Sequence, residues 1–107
     1  MHFQEYQERL TIVSNAYGIS DPDKDLAVCI IGLAGEVGEV CELVKKDIRD
    51  NSIDLNCLKK ELGDVLAYVS QVARCYGLKL EDIAQTNVEK LESRMNRGTL
   101  RGNGNNR

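Results

Sequence analysis

Four acidic side chains fall into two pairs of the same form. Glu36 and Glu39 stand three apart in Gly-Leu-Ala-Gly-Glu-Val-Gly-Glu-Val, and Glu61 and Asp64 stand three apart in Lys-Lys-Glu-Leu-Gly-Asp-Val-Leu. On a helix, residues at that spacing share a face, with Cβ atoms about 5–6 Å apart. Two such helices packed antiparallel would bring the four carboxylates together. Like charges that close repel and shift one another's pKa unless a cation intervenes. Oxygen donors without His or Cys select Mg2+ or Mn2+ over zinc, and Mg2+ keeps several waters and takes phosphate oxygens as well. The chemistry implied is metal-assisted attack on a phosphoryl group. A single acidic pair at this spacing is common on solvated helix faces. Here a second pair repeats the form, and both interrupt apolar, glycine-containing stretches rather than a charged surface.

A basic stripe accompanies the acids. Asn87, Lys90, Arg94 and Arg97 follow one another at steps of three, four and three, which keeps them on one helical face. Lys and Arg opposite a metal-loaded acidic face are what a polyphosphate would require. The plainer reading is a solvated face whose cations favour the helix C-terminus. Tyr68 lies one turn after Asp64, where its hydroxyl could meet a sugar or phosphate or simply edge the core. On the first helix Ile12 and Asn15 fall one turn apart and are candidate pocket walls, Asn being able to hydrogen-bond a base edge.

Four helices are expected to position these groups. The first runs from Phe3 to about Tyr17 on the stripe Phe3, Tyr6, Leu10, Val13 and Tyr17, stopped by Gly18. The second runs from about Pro22 or Lys24 to Asp50, capped by Asp21, with an apolar stripe of Leu26, Ile30, Leu33, Val37, Val40, Val44 and Ile48. Gly32, Gly35 and Gly38 each cost that helix about 1 kcal/mol relative to Ala, so something is expected to approach its backbone closely, a neighbouring helix or a ligand. The third is capped by Asp54 and runs from Leu55 to Tyr76, burying Leu58, Leu62, Val65, Leu66, Val69, Val72 and Ala73 before Gly77. The fourth spans about Glu81 to Arg97, with Ile83, Ala84, Val88, Leu91 and Met95 facing inward. Residues 1–97 thus form one domain, and the Gly- and Asn-rich 98–107 a flexible tail.

Composition removes other mechanisms. The single His2 lies near the start, so a His-based catalytic triad has no base, and a di-iron bundle lacks its Glu-x-x-His copies. The four Cys contain no C-x-x-C pair and sit in apolar helical patterns, which reads as reduced, mostly buried thiols rather than a zinc site. No signal peptide or run of about 18 apolar residues is visible, so a membrane is not expected as partner. The net charge of -3 and the scarcity of aromatic residues argue against nucleic acid. A chain of 107 residues buries a modest share of its surface, so self-association is expected.

Taken together, Glu36-Val-Gly-Glu39, twenty-one residues, then Glu61-Leu-Gly-Asp64-Val-Leu resembles the E-x-x-E, E-x-x-D signature of the MazG-like nucleoside triphosphate pyrophosphohydrolases. Tyr6-Gln7, Gly32-Leu-Ala-Gly-Glu, Asn87-Val-Glu-Lys90-Leu-Glu-Ser-Arg94 and the ending Gly98 to Arg107 also resemble segments of short, single-domain members from phages and bacteria. The resemblance implies an all-α, four-helix MazG-like bundle assembled as a dimer or dimer of dimers with sites at subunit interfaces, in the cytosol of a bacterium or an infected host. It implies hydrolysis of (deoxy)nucleoside triphosphates between the α- and β-phosphates. Glu36, Glu39, Glu61 and Asp64 would bind Mg2+ (Mn2+ substituting), with more than one ion per site. Glu39 would activate water, Asn87, Lys90 and Arg94 would hold phosphates, and Tyr68 would contact nucleotide. The chain has no Trp, so it lacks the aromatic base clamp of cytosine-preferring relatives, which tilts the expected base toward a purine such as that of dGTP. The alternative is a non-catalytic helical oligomer that binds nucleotide or a protein partner.

Overall fold

Aspartates open both central helices. In the computed structural model, which describes residues 1–107, Asp21 accepts from the backbone N–H of Asp23 and Lys24 at 2.9 and 3.3 Å, with Pro22 at the first helical position. Asp54 accepts from Asn56 and Cys57 at 2.9 and 3.2 Å. These caps satisfy N–H groups that a helix start leaves free. The elements are α1 (Phe3–Tyr17), α2 (Pro22–Asp50), α3 (Leu55–Cys75) and α4 (Leu80–Asn96), with no strand. Gly18 and Gly77 end α1 and α3 at positive φ, 70° and 67°, as C-terminal caps require. Asn51, at φ 50°, does the same for α2.

Pairs of residues that meet across α2 and α3 run in opposite directions along the two helices: Asp25 with Arg74, Gly32 with Tyr68, Glu36 with Asp64. The expected antiparallel hairpin is therefore present, and it is the centre of the molecule. Helix α1 packs on α3, where Gln71 Nε2 donates to the Leu10 carbonyl at 2.9 Å. The start of α4 is held by α1. Lys79 offers no side-chain cap, and Gln7 replaces it, donating to the Leu78 carbonyl at 2.9 Å and accepting from Leu80 N–H at 3.0 Å. Gln7→Ala should cost about 1 kcal/mol in denaturant unfolding, as loss of a cap does.

The expected buried faces are only half covered. Cys29, Ala73 and Leu80 are the only buried hydrophobic residues. Ile30, Val37 and Ile48 of the α2 stripe are exposed, as are Leu62 of α3 and Val88, Leu91 and Met95 of α4, which were expected to face inward. The reason is spatial: beyond Leu80, α4 leaves the hairpin, and no other part of the chain lies over these faces. The radius of gyration, 16.5 Å, exceeds the roughly 13 Å of a compact chain of this length. Of the four free Cys, only Cys29 is buried; Cys41 and Cys57 are exposed, which corrects the expectation of mostly buried thiols. Residues 98–107, assigned from composition to a flexible tail, lie back along α4. No helix is long and apolar enough to cross a membrane.

The α2 glycines separate into two kinds. A Cβ on Gly32 would overlap the Tyr68 ring, so here the neighbour is a side chain of α3. At Gly35 and Gly38 a Cβ would meet nothing within 4 Å. Gly38→Ala should therefore raise stability by about 1 kcal/mol through helix propensity alone. A loss in the unfolding midpoint would instead mark that face as covered by a second molecule.

Candidate active site

Gly32 lets the Tyr68 ring lie against α2, one helical turn before Glu36. One oxygen each from Glu36, Glu61 and Asp64 converges within 4.8 Å. Burial first, then a proton shared with Glu61 and the charges of Asp64, Glu61 and Glu39, push the Glu36 carboxyl above the usual range. Desolvation and neighbouring like charges both disfavour its charged form. Glu39 lies outside the converging trio; it is exposed and acts on Glu36 through charge. The donor set is three carboxylates with no nitrogen or sulfur, which fits a hard divalent ion.

Glu36 and Asp64 form one end of a cleft of about 390 Å³ between α1, α2 and α3. That volume lies within the usual range of small-molecule sites. Leu10, Val13, Tyr17, Val28 and Ala67 supply apolar wall, and Tyr68 lines it beside the carboxylates. The expected wall residues Ile12 and Asn15 are not part of it. Both are exposed, and the cleft takes Leu10, Val13, Ser14 and Tyr17 instead. At 100° per residue, Ile12 and Asn15 turn away from the face that packs on α3. The α1 stripe already carried the right signal in Leu10, Val13 and Tyr17.

Tyr6, part of the α1 stripe, lies near enough to Asp64 to feel its charge. Burial, and then the negative charge of Asp64, push its hydroxyl pKa up, so it remains a neutral donor near the acidic end. The basic stripe is placed apart on α4. Asn87 is exposed, whereas Arg94 is buried, its Nη2 donating to the carbonyls of Gly104 and Asn105.

At the opposite end of the cleft Arg74 pairs with Asp25 at 3.0 and 3.1 Å, and its Nε donates to Gln71 Oε1 at 2.8 Å. Cys29 and Cys75 each donate a long S–H contact of 3.8 Å to the same carboxylate. These three donors lie within 4.8 Å of one another, but Arg74 already supplies the positive charge, and burial drives the Cys29 thiol up to about 11. The group is held together as an ion pair of Asp25 with Arg74. Arg74 hydrogen bonding holds the Asp25 carboxyl below its ordinary 3.8. A depressed carboxylate contributes stability above its unfolded value, and that contribution is lost as pH falls through the folded one. Arg74→Met should cost about 1.5–3 kcal/mol at neutral pH and flatten the acid-unfolding curve below about pH 4. Acid titration of the unfolding midpoint checks both.

Residues 26–99 match the family described as MazG nucleotide pyrophosphohydrolase domain. The chain is 37% identical to the gene 37 protein of Mycobacterium phage L5 over 114 aligned positions that cover all of both proteins. No solved structure matches it.

Proposed function

The chain belongs to the MazG nucleotide pyrophosphohydrolase family, and on that premise we propose that it hydrolyses (deoxy)nucleoside triphosphates to the monophosphate and pyrophosphate. What supports the reading in this chain is the convergence of Glu36, Glu61 and Asp64 at the end of the cleft. Held by these residues with Glu39 beside them, Mg2+ or Mn2+, as more than one ion, would supply charge neutralisation at the phosphates and acidify water. The exposed Glu39 carboxylate orients the attacking water and takes its proton. Attack in line at the α-phosphorus forms one P–O bond and breaks the bond to the bridging oxygen of the β-phosphate. Lys90 and Arg94 neutralise the departing pyrophosphate, and Asn87 adds a neutral donor.

The apolar cleft walls take the base, Tyr68 the sugar side, and a purine such as that of dGTP is the assigned preference. The working form is a homo-oligomer, a dimer or tetramer, acting in the cytosol of a bacterium or an infected host. The open apolar faces of α2 and α4 support assembly, with α4 of one copy serving the carboxylates of another. A panel of eight triphosphates with Mg2+, read for pyrophosphate and orthophosphate, tests the activity. Pyrophosphate should appear with a deoxypurine substrate, and Glu39→Gln should lower kcat by about 100-fold or more. Silence across the panel, or full activity in Glu39→Gln, would refute the proposal.

A further inference from the structure

The four Cys contain no C-x-x-C pair, yet the hairpin of α2 and α3 brings two of them onto one carboxylate. Asp25 and Cys29 share a face of α2 at a spacing of four, and Cys75 ends α3. Cys29 Sγ donates to Asp25 Oδ1 and Cys75 Sγ to Asp25 Oδ2, each at 3.8 Å, and one donor atom from each residue lies within 4.8 Å of the other two. Bonds to zinc of about 2.3 Å from sulfur and 2.1 Å from oxygen set tetrahedral S···O and S···S separations of about 3.6 and 3.8 Å. The S···O spacing is already close to that, and the sulfurs need to approach each other by no more than about 1 Å. Cys29 is buried, and Asp25 and Cys75 are half-buried. The exposed Cys41 and Cys57 belong to no such group.

Arg74 completes the arrangement from behind. Its Nη1 lies 3.0 Å from Asp25 Oδ2, and its Nη2 donates to Oδ1 at 3.1 Å and reaches Cys29 Sγ at 3.9 Å. Gln71 Oε1 accepts from Arg74 Nε and fixes the guanidinium. Each Asp25 oxygen thus receives one guanidinium N–H and one thiol S–H. The two thiol hydrogens fill the ground between the three donors, where a cation would replace them. When a divalent ion enters, two S–H bonds break, two metal–sulfur bonds form and two protons leave to solvent. Two thiolates and a carboxylate then carry one negative charge beyond that of the ion. Arg74 balances it while keeping its hydrogen bonds to the carboxylate, the outer support that a ligating carboxylate needs. Thiolate donors select Zn2+ over Mg2+.

We propose that Asp25, Cys29 and Cys75 form a second cation site, for one thiophilic divalent ion such as Zn2+, which pins α2 to α3 at the end of the cleft away from Glu36, Glu61 and Asp64. Asp25 and Cys29 line the cleft, so the fourth position of the ion opens into it and takes water. The site goes beyond the hydrolase reading and does not depend on it, because its sulfur donors suit a different ion from the all-oxygen trio.

The test titrates Co2+, whose thiolate complexes absorb by charge transfer, into the full chain and into Cys41→Ser/Cys57→Ser, with excess Mg2+ to fill the oxygen site. Both should give a sulfur-to-cobalt band that saturates at one ion per chain and that stoichiometric Zn2+ removes. Zn2+ should raise the melting midpoint of both by about 5 °C or more. Cys29→Ala and Cys75→Ala, each made in Cys41→Ser/Cys57→Ser, should lose the band and the shift while keeping their helix content. In the unaltered chain, mapping of alkylated cysteines should show that Zn2+ protects Cys75 and leaves Cys41 and Cys57 reactive. No band in the parent chain, a band that survives either alanine, or protection of Cys41 and Cys57 in place of Cys75 would overturn the site.

Discussion

Glu36→Gln is expected to abolish the stabilisation that Mg2+ gives and to lower turnover by about 100-fold or more, while making the metal-free protein harder to unfold. Both halves follow from one geometry. Glu36, Glu61 and Asp64 bring oxygens within 4.8 Å, and the desolvation of Glu36, added to by its neighbours' charges, is a cost the folded chain bears without a cation. An amide removes that cost together with a ligand. The pH dependence carries the same signature. A carboxyl whose folded pKa is raised destabilises the fold above that pKa, and the penalty fades as pH falls toward the ordinary 4.5. The metal-free midpoint should therefore rise on mild acidification and then fall below about pH 4, where protonated Asp25 loosens its pair with Arg74. Glu36→Gln should keep the fall and lose the rise. Calorimetric melts with and without Mg2+ across this range read both effects. A Gln variant no more stable than its parent in chelator would remove the claim of a strained acidic cluster.

Gly32→Ala is the second large effect. In an exposed helix this change gains about 1 kcal/mol, but here a Cβ overlaps the Tyr68 ring. Both atoms belong to packed helices, so either the ring swings into the cleft or α2 and α3 separate. Overpacking of this kind costs about 1–3 kcal/mol. It should also disturb activity, because Tyr68 lines the cleft beside Glu36 and Asp64. Tyr68→Leu in the same chain should relieve the strain, and the double-mutant cycle should show coupling of about 1 kcal/mol or more. Additive effects would mean that the ring and the glycine do not constrain each other.

What could be read from the residues was whatever is written locally. Asp21, Asp54 and Gly18 set helix ends within a few residues, because caps act through backbone groups two or three positions away. The acidic pairs pointed to the antiparallel pairing of α2 with α3, and three of the four carboxylates expected to meet there do so. Contacts set by tertiary arrangement were not legible. The capping of α4 by Gln7 lies some seventy positions away in sequence, and nothing local to Lys79 announces it. The cleft wall on α1 was placed on Ile12 and Asn15, one face away from Leu10, Val13 and Tyr17. The apolar stripes of α2 and α4 were read as core, although this chain alone does not cover them. Periodicity reports that a face is apolar and is silent about whose surface covers it. The fold-back of residues 99–107 was hidden for a related reason: Gly and Asn permit many conformations, and the Arg side chains choose among them.

The central claim is hydrolysis at the α-phosphorus through the carboxylate end of the cleft, and turnover in 18O-labelled water tests it most directly. With Mg2+ and a deoxynucleoside triphosphate, mass spectrometry should find the label in the monophosphate and none in the pyrophosphate released beside it, and Glu36→Gln should release neither. Label in pyrophosphate, release of orthophosphate as first product, or undiminished turnover in Glu36→Gln would contradict the account.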